Sequence, residues 1–214
     1  MAVSRDLEAS SPSTAVGRFI VFEGGDGSGK STQAKLLAQR LDAVLTREPG
    51  GTEIGAKIRE LVLDPDRSET SHRTEALLMA ADRAQHVHER IRPSIARGQH
   101  VVSDRHVASS LAYQGVGRGL GVDVIAQVNA FAVDGLTPDL VVLLEADARA
   151  ARARLGTVLD RIEDAGTGLA ATVAATYRSF ADAEPALWAV VDAAGSVDEV
   201  AARVDAVVAD RLGL

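Results

Sequence analysis

The chain has 214 residues, 46% of them hydrophobic and 25% charged, and it contains no cysteine. That usage excludes a disordered or fibrous protein, a disulfide framework and a thiolate metal site. With 23 basic residues against 30 acidic ones the net charge is −7, so the backbone of a nucleic acid is not an expected partner and any anionic ligand must be held by a locally built site.

In chain order, residues 1–16 are rich in Ser, Ala and Thr without a period and read as a disordered tail. This stretch lacks the apolar core of a secretory signal. The longest aliphatic cluster, Leu140–Leu144, is far short of the roughly 18 residues needed to cross a bilayer. A cytoplasmic protein without membrane association is expected. Beyond the tail, residues 17–214 alternate short β-type runs with longer helical segments, as in one domain. The strand candidates are Phe19–Phe22, Ala43–Leu45, His100–Ser103, Leu140–Leu144 and Ala189–Val191. Their near-continuous apolar character suits strands covered on both faces. Helical periodicity runs between them, for example through Leu77, Ala81, Ala84, His88, Ile91 and Ile95, which predicts a core-facing stripe. The alternation predicts an α/β fold, a doubly wound parallel sheet of about five strands with helices on both faces. Ligands of such sheets bind at the carboxyl ends of the strands.

The segment after the first strand, Gly24-Gly25-Asp26-Gly27-Ser28-Gly29-Lys30-Ser31, fits G-x-x-x-x-G-K-[ST] at every fixed position, and helical sequence follows it. Its glycines permit turns that aim successive backbone N–H groups at phosphate oxygens. Lys30 can reach the β- and γ-phosphates, and the Ser31 hydroxyl can ligate Mg²⁺. Residues 24–32, ending at Thr32, are therefore the expected ATP-binding loop. No Asn-Lys-x-Asp guanine-reading element occurs, which disfavours a GTPase.

Further along, Thr46–Thr52 (TREPGGT) offers Arg47 as a fork-shaped anion donor beside a proline-fixed turn, with an ordinary turn and a surface arginine as the alternative. Met79 and Arg83, four apart on a helix, could meet the face and edge of a nucleobase, with a solvent-facing arginine beside a gap-filling methionine as the alternative. After the third strand, Asp104 is placed to organise Mg²⁺ and Arg105 to clamp a second phosphate; a capping Asp with an ion-paired Arg is the alternative. Arg149, Arg152, Arg154 and Arg161, interrupted by Gly156, could form a closing lid at about 149–165 or a solvated helix.

Phe22-Glu23-Gly24 before the phosphate loop, TREPGGT, DRHVASSLAYQG (Asp104–Gly115) and DRIE (Asp160–Glu163) stand in an order and spacing that resemble the bacterial thymidylate kinases, from about Arg18 to the C-terminus. The resemblance implies transfer of the γ-phosphoryl group of ATP to dTMP. It places Asp26 near the acceptor and metal, Lys30 on ATP phosphates, and Arg47 and Arg105 on the acceptor's phosphate. It places Arg83, Ser110, Tyr113 and Gln114 around the pyrimidine and sugar. Ser31, Asp104 and Glu163 are the implied Mg²⁺ site. Gly27 stands where one branch of the family has an arginine, so the catalytic arginine is expected from the lid, as Arg154 or Arg161. Met79 departs from the aromatic residue usual at its position, which weakens stacking. A homodimer through helices beside the sheet is also implied. The alternatives are a P-loop kinase for another pyrimidine nucleotide or deoxynucleoside, or a nucleotide-dependent switch ATPase.

Overall fold

The computed structural model describes residues 16–64, 70–154 and 167–214. Almost all of the expected tail, and Arg161 and Glu163 of the expected lid, lie outside the described residues. Among the described residues, strands β1 (Phe19–Glu23), β2 (Val44–Arg47), β3 (Val101–Asp104), β4 (Leu140–Glu145) and β5 (Trp188–Asp192) form one parallel sheet in the order β2-β3-β1-β4-β5. Each lies within two residues of the segment predicted from apolar runs. The central strand β1 is buried throughout and β4 nearly so, whereas the edge strand β2 alternates.

The helices are α1 (Lys30–Arg40), α2 (Glu53–Leu63), α3 (His72–His86), α4 (Arg92–Ala96), α5 (Val107–Ser110), α6 (Val122–Val133), α7 (Ala148–Arg154), α8 (Thr167–Ala183) and α9 (Val197–Leu212). Successive strand side chains point to opposite faces. Ile20, Phe22, Val142 and Leu144 therefore meet Leu37 of α1 and Val204 and Val208 of α9 on one side. Phe19, Val21, Val141 and Leu143 meet Val133 of α6 and Val173 and Tyr177 of α8 on the other. Ser71 caps α3 by accepting from the Thr74 amide, and Ser196 forms a capping box with Glu199 at α9.

The long helical stretch corrects the predicted core stripe. Leu77, Ala81 and His88 are exposed, whereas the buried positions include Ala76, Ala80, Arg83, Val87 and Ile91. A π-helical turn at Val87–Ile91 joins α3 to α4. One extra residue in a turn rotates the helix by about 100°, so a single 3.6-residue period cannot carry one face through it. Ile91, which closes that turn, is buried as predicted, but Leu77 and Ala81 in the first half of the stripe face outward.

Candidate active site

The phosphate loop leaves the carboxyl end of β1 at the middle of the sheet, where crossovers depart in both directions and a crevice opens. Gly24, Gly27 and Gly29 have φ of 141°, 77° and 96°, which only glycine adopts freely. Gly27 also lies under α7, where an added Cβ would stand 2.2 Å from the Ala151 carbonyl oxygen. Lys30 opens α1 and is buried, with Nζ donating to the Gly25 carbonyl at 2.7 Å. Burial and the nearby Arg105 cation push its ammonium down to about 8, although Asp26, Asp104 and Glu23 pull the other way. Arg154 at the end of α7 reaches the Gly27 carbonyl at 3.4 Å, which sets a second cation beside the loop.

The turn after β3 faces this loop. Arg105 holds a left-handed backbone, φ 74°, a conformation that costs a side-chain-bearing residue roughly 1–3 kcal/mol. Its amide donates to the Phe22 carbonyl at 2.9 Å, and the buried Glu23 carboxylate accepts from the His106 amide at 3.0 Å, so β1 pins the strained turn. Glu23 also accepts from Ser109 Oγ at 2.7 Å and Tyr177 Oη at 2.9 Å. Burial raises its carboxyl above the usual range despite Arg105 nearby. The Arg105 guanidinium pairs with Asp26, donates to Ser109 Oγ at 3.0 Å and lies 5.2 Å from the Tyr113 ring centre. Tyr113 Oη donates to the other Asp26 oxygen at 2.8 Å. Burial opposes ionisation of Asp26, but Arg105 and Lys30 outweigh it and hold the carboxyl below its ordinary value.

A buried hub centred on Glu48, at the cis Glu48–Pro49 bond, fastens the turn after β2. Glu48 accepts from Arg83 Nε at 2.7 Å and bonds His86 Nδ1 at 2.8 Å and His106 Nδ1 at 2.9 Å. Burial works against its charge, yet Arg83 and His106 hold it well below the usual carboxylate range. Arg83 is only 2% exposed and also donates to Ser110 Oγ and the His106 carbonyl, both at 3.0 Å, and to Asn129. Nothing local marks Glu48, His86, His106 or Asn129 as a set, because their contacts span 23 to 58 residues of chain. Glu48 stands within TREPGGT, yet nothing in its local sequence marks it as the centre of this hub.

Of the sequence-derived candidates among the described residues, all but Gly24, Gly25, Ser28, Arg149 and Arg152 line one cleft. A cleft of about 430 Å³ is lined by Asp26, Gly27, Gly29, Lys30, Ser31 and Thr32 on one wall and by Arg47, Met79, Arg83, Arg105, Ser110, Tyr113 and Gln114 on the other, with Asp104 and Arg154. Arg59 and Leu63 of α2 and Ser109 line it too, and no motif had singled out the two α2 residues. Met79 is half-buried, packed against the core on the α6–α8 side. Ser31 Oγ donates to Asp104 Oδ2, while Asp104 Oδ1 is buried with no partner among the described residues. A hydroxyl and a buried carboxylate oxygen are hard donors that fit Mg²⁺. No group of three or more His, Cys, Asp or Glu among the described residues could hold a metal alone.

On a protein of net charge −7, six cations (Lys30, Arg47, Arg59, Arg83, Arg105 and Arg154) against three carboxylates (Asp26, Glu48 and Asp104) line one crevice at a glycine loop, a local balance that suits anion binding. With a P-loop on one wall and a separate arginine-lined bay on the other, fold and site define a P-loop phosphotransferase that brings a nucleotide to a second anion. The thymidylate kinase family model matches residues 22–204. The thymidylate kinase of Leifsonia xyli subsp. xyli is 48% identical over 201 residues, 90% of this chain and 95% of that protein. That of Lactobacillus delbrueckii subsp. bulgaricus is 45% identical over 87% of this chain and 92% of its own. The crystal structure of the Ehrlichia chaffeensis thymidylate kinase superposes with a TM-score of 0.74 at 29% identity, covering 90% of this chain and 99% of that one. The chain belongs to the thymidylate kinase family.

Proposed function

We propose that the protein transfers the γ-phosphoryl group of ATP to dTMP, giving dTDP and ADP, within one kinase domain spanning residues 17–214. The supporting observation is the pair of anion-binding walls in a single cleft, Lys30 and the loop amides opposite Arg47 and Arg105. Loop amides and Lys30 hold the donor's phosphates. Arg47 and Arg105 hold the acceptor's phosphate in line, and Asp26, tied to Arg105 and Tyr113, keeps that guanidinium turned toward the loop. Arg83 and Ser110, with Met79, Tyr113 and Gln114, enclose the base and sugar. Arg154, and Arg161 outside the described residues, supply charge to the phosphoryl group in flight. Mg²⁺ held by Ser31 and Asp104, with Glu163 as a further ligand, would neutralise charge on the donor's phosphate oxygens. Nothing in the site favours another acceptor or a switch ATPase.

Coupled ADP release measured with dTMP, dUMP, dCMP and thymidine as acceptors tests this reading. Strong preference for dTMP is expected, and acceptor-independent hydrolysis would overturn it. Arg105→Ala should raise KM for dTMP about tenfold or more while sparing KM for ATP; the reverse pattern would exchange the two phosphate sites.

The same proposal includes a homodimer acting in the cytoplasm. Phe131 and Val124 on α6 are 90% and 56% exposed, and Leu77 on the neighbouring α3 is 59% exposed. Apolar groups left bare on two packed helices suit burial against a second copy. No helix among the described residues is long and apolar enough to cross a membrane.

A further inference from the structure

Glu75 lies in the first turn of α3 and is fully buried, although no role in phosphoryl transfer calls for a carboxylate there. Its Oε1 accepts from Gln114 Nε2 at 2.8 Å, and Arg118 reaches Oε1 and Oε2, both at 3.3 Å. Gln114 sits in the π-helical segment Leu111–Gly117 and lines the cleft beside Arg83, Ser110 and Tyr113. A primary amide has a donor end and an acceptor end, whereas a carboxylate only accepts. The amide end that meets Glu75 must therefore be the NH₂. Gln114 cannot flip without setting its carbonyl oxygen against a carboxylate. That oxygen accepts from no described residue, and it is the polar group Gln114 has left to offer the cleft.

The other base-facing candidate has the opposite polarity. Of the five N–H groups of Arg83, Nε donates to Glu48, the two on Nη1 to Ser110 and Asn129, and one on Nη2 to the His106 carbonyl. One Nη2 hydrogen has no acceptor among the described residues. The cleft thus presents a fixed acceptor and a fixed donor. A pyrimidine with N3–H and a C4 carbonyl complements that pair. One with a bare N3 and a C4 amine opposes it at both atoms.

We propose that Glu75, charge-paired with Arg118, is a specificity-determining positioning residue: it locks the Gln114 amide so that the enzyme accepts 4-oxo pyrimidine nucleotides and rejects 4-amino ones. The inference rests on the dTMP kinase reading and adds to it the group that sets the site's polarity. Glu75→Gln is nearly isosteric and replaces a pure acceptor by an amide that pairs with Gln114 in either orientation. The experiment measures kcat and KM for dTMP and dCMP in both proteins. The expected result is a fall of about tenfold or more in the dTMP-to-dCMP ratio of kcat/KM, with KM for ATP and kcat at saturating dTMP retained. A folded variant with the wild-type ratio overturns the proposal, since mere loss of packing would weaken both acceptors alike. If the wild type itself fails to phosphorylate dTMP, the functional reading falls, a distinguishable outcome. A second measurement needs only the wild-type protein: the Gln114 side-chain NH₂ protons, followed by NMR, should stay protected from exchange before and after dTMP is added. Exchange of those protons with solvent in the free enzyme, or their protection only in the complex, would mean that the NH₂ faces the cleft and would likewise overturn it.

Discussion

Lys30 is a cation held in a place that resists charge. Burial and Arg105 lower its pKa to about 8 in the free protein, and the ammonium is the form that attracts a triphosphate. The competent form therefore dominates below about pH 8 and is lost above it. The kcat/KM for ATP, which reports the free enzyme, should therefore fall on an alkaline limb with an apparent pKa near 8; a profile flat to pH 10 would remove Lys30 from donor binding. Lys30→Ala should lower kcat about 100-fold or more while dTMP still binds, checked by steady-state kinetics and calorimetry. Asp82 is a second residue out of its ordinary range. Burial and then the Glu48 charge raise it to about 6, while the Gly50 amide, donating to Oδ1 at 2.9 Å, and the His86 and Arg83 charges work in the opposite direction. Between the ordinary aspartate value near 4 and about 6 the folded state binds the extra proton, so stability declines as pH rises through that window. Asp82→Asn keeps an acceptor for Gly50 and cannot ionise. It should stabilise the protein by up to about 2 kcal/mol at pH 7.5 and flatten the pH slope, as read from urea unfolding at pH 4.5 and 7.5.

At the scale of elements, the site is assembled from four strand ends, and close backbone approach sets the tolerances. Gly27 is required twice over, by its φ of 77° and by the Ala151 carbonyl that an added Cβ would strike at 2.2 Å. Gly27→Ala should cost about 1–3 kcal/mol and push α7, with Arg154, off the loop. Chemical unfolding reads the first effect and a raised KM for ATP the second. The glycine pattern of the loop was legible because each φ > 0 position forces a residue type. The π-helical turn at Val87–Ile91 was not. Its hydrophobic intervals of three and four match an ordinary helix, and only packing decides which face turns inward. Met79 and Arg83 were read as a pair on a face separate from the Leu77 stripe, and they do line the cleft. The first half of that stripe, with Leu77 and Ala81, is the exposed side.

For the whole molecule, that exposed side becomes the interface of the proposed dimer. Phe131→Asp places a carboxylate at the most exposed large apolar side chain among the described residues. Sedimentation should find the wild type at twice the chain mass and the variant at the chain mass; a monomeric wild type would end the dimer proposal. The parallel sheet, its strand positions, the phosphate loop and much of the cleft lining, though not Arg59 or Leu63, could be taken from the sequence. Each rests on local rules: apolar runs for covered strands, glycines for positive φ, a lysine and a serine at fixed offsets from the loop. The tertiary structure alone decided how the cleft is held and which way its groups point. Glu23 pins a strained turn, Glu48 ties three distant segments and Glu75 fixes an amide. A buried carboxylate takes its meaning from the donors that surround it, and here those donors come from parts of the chain between 35 and 154 residues away.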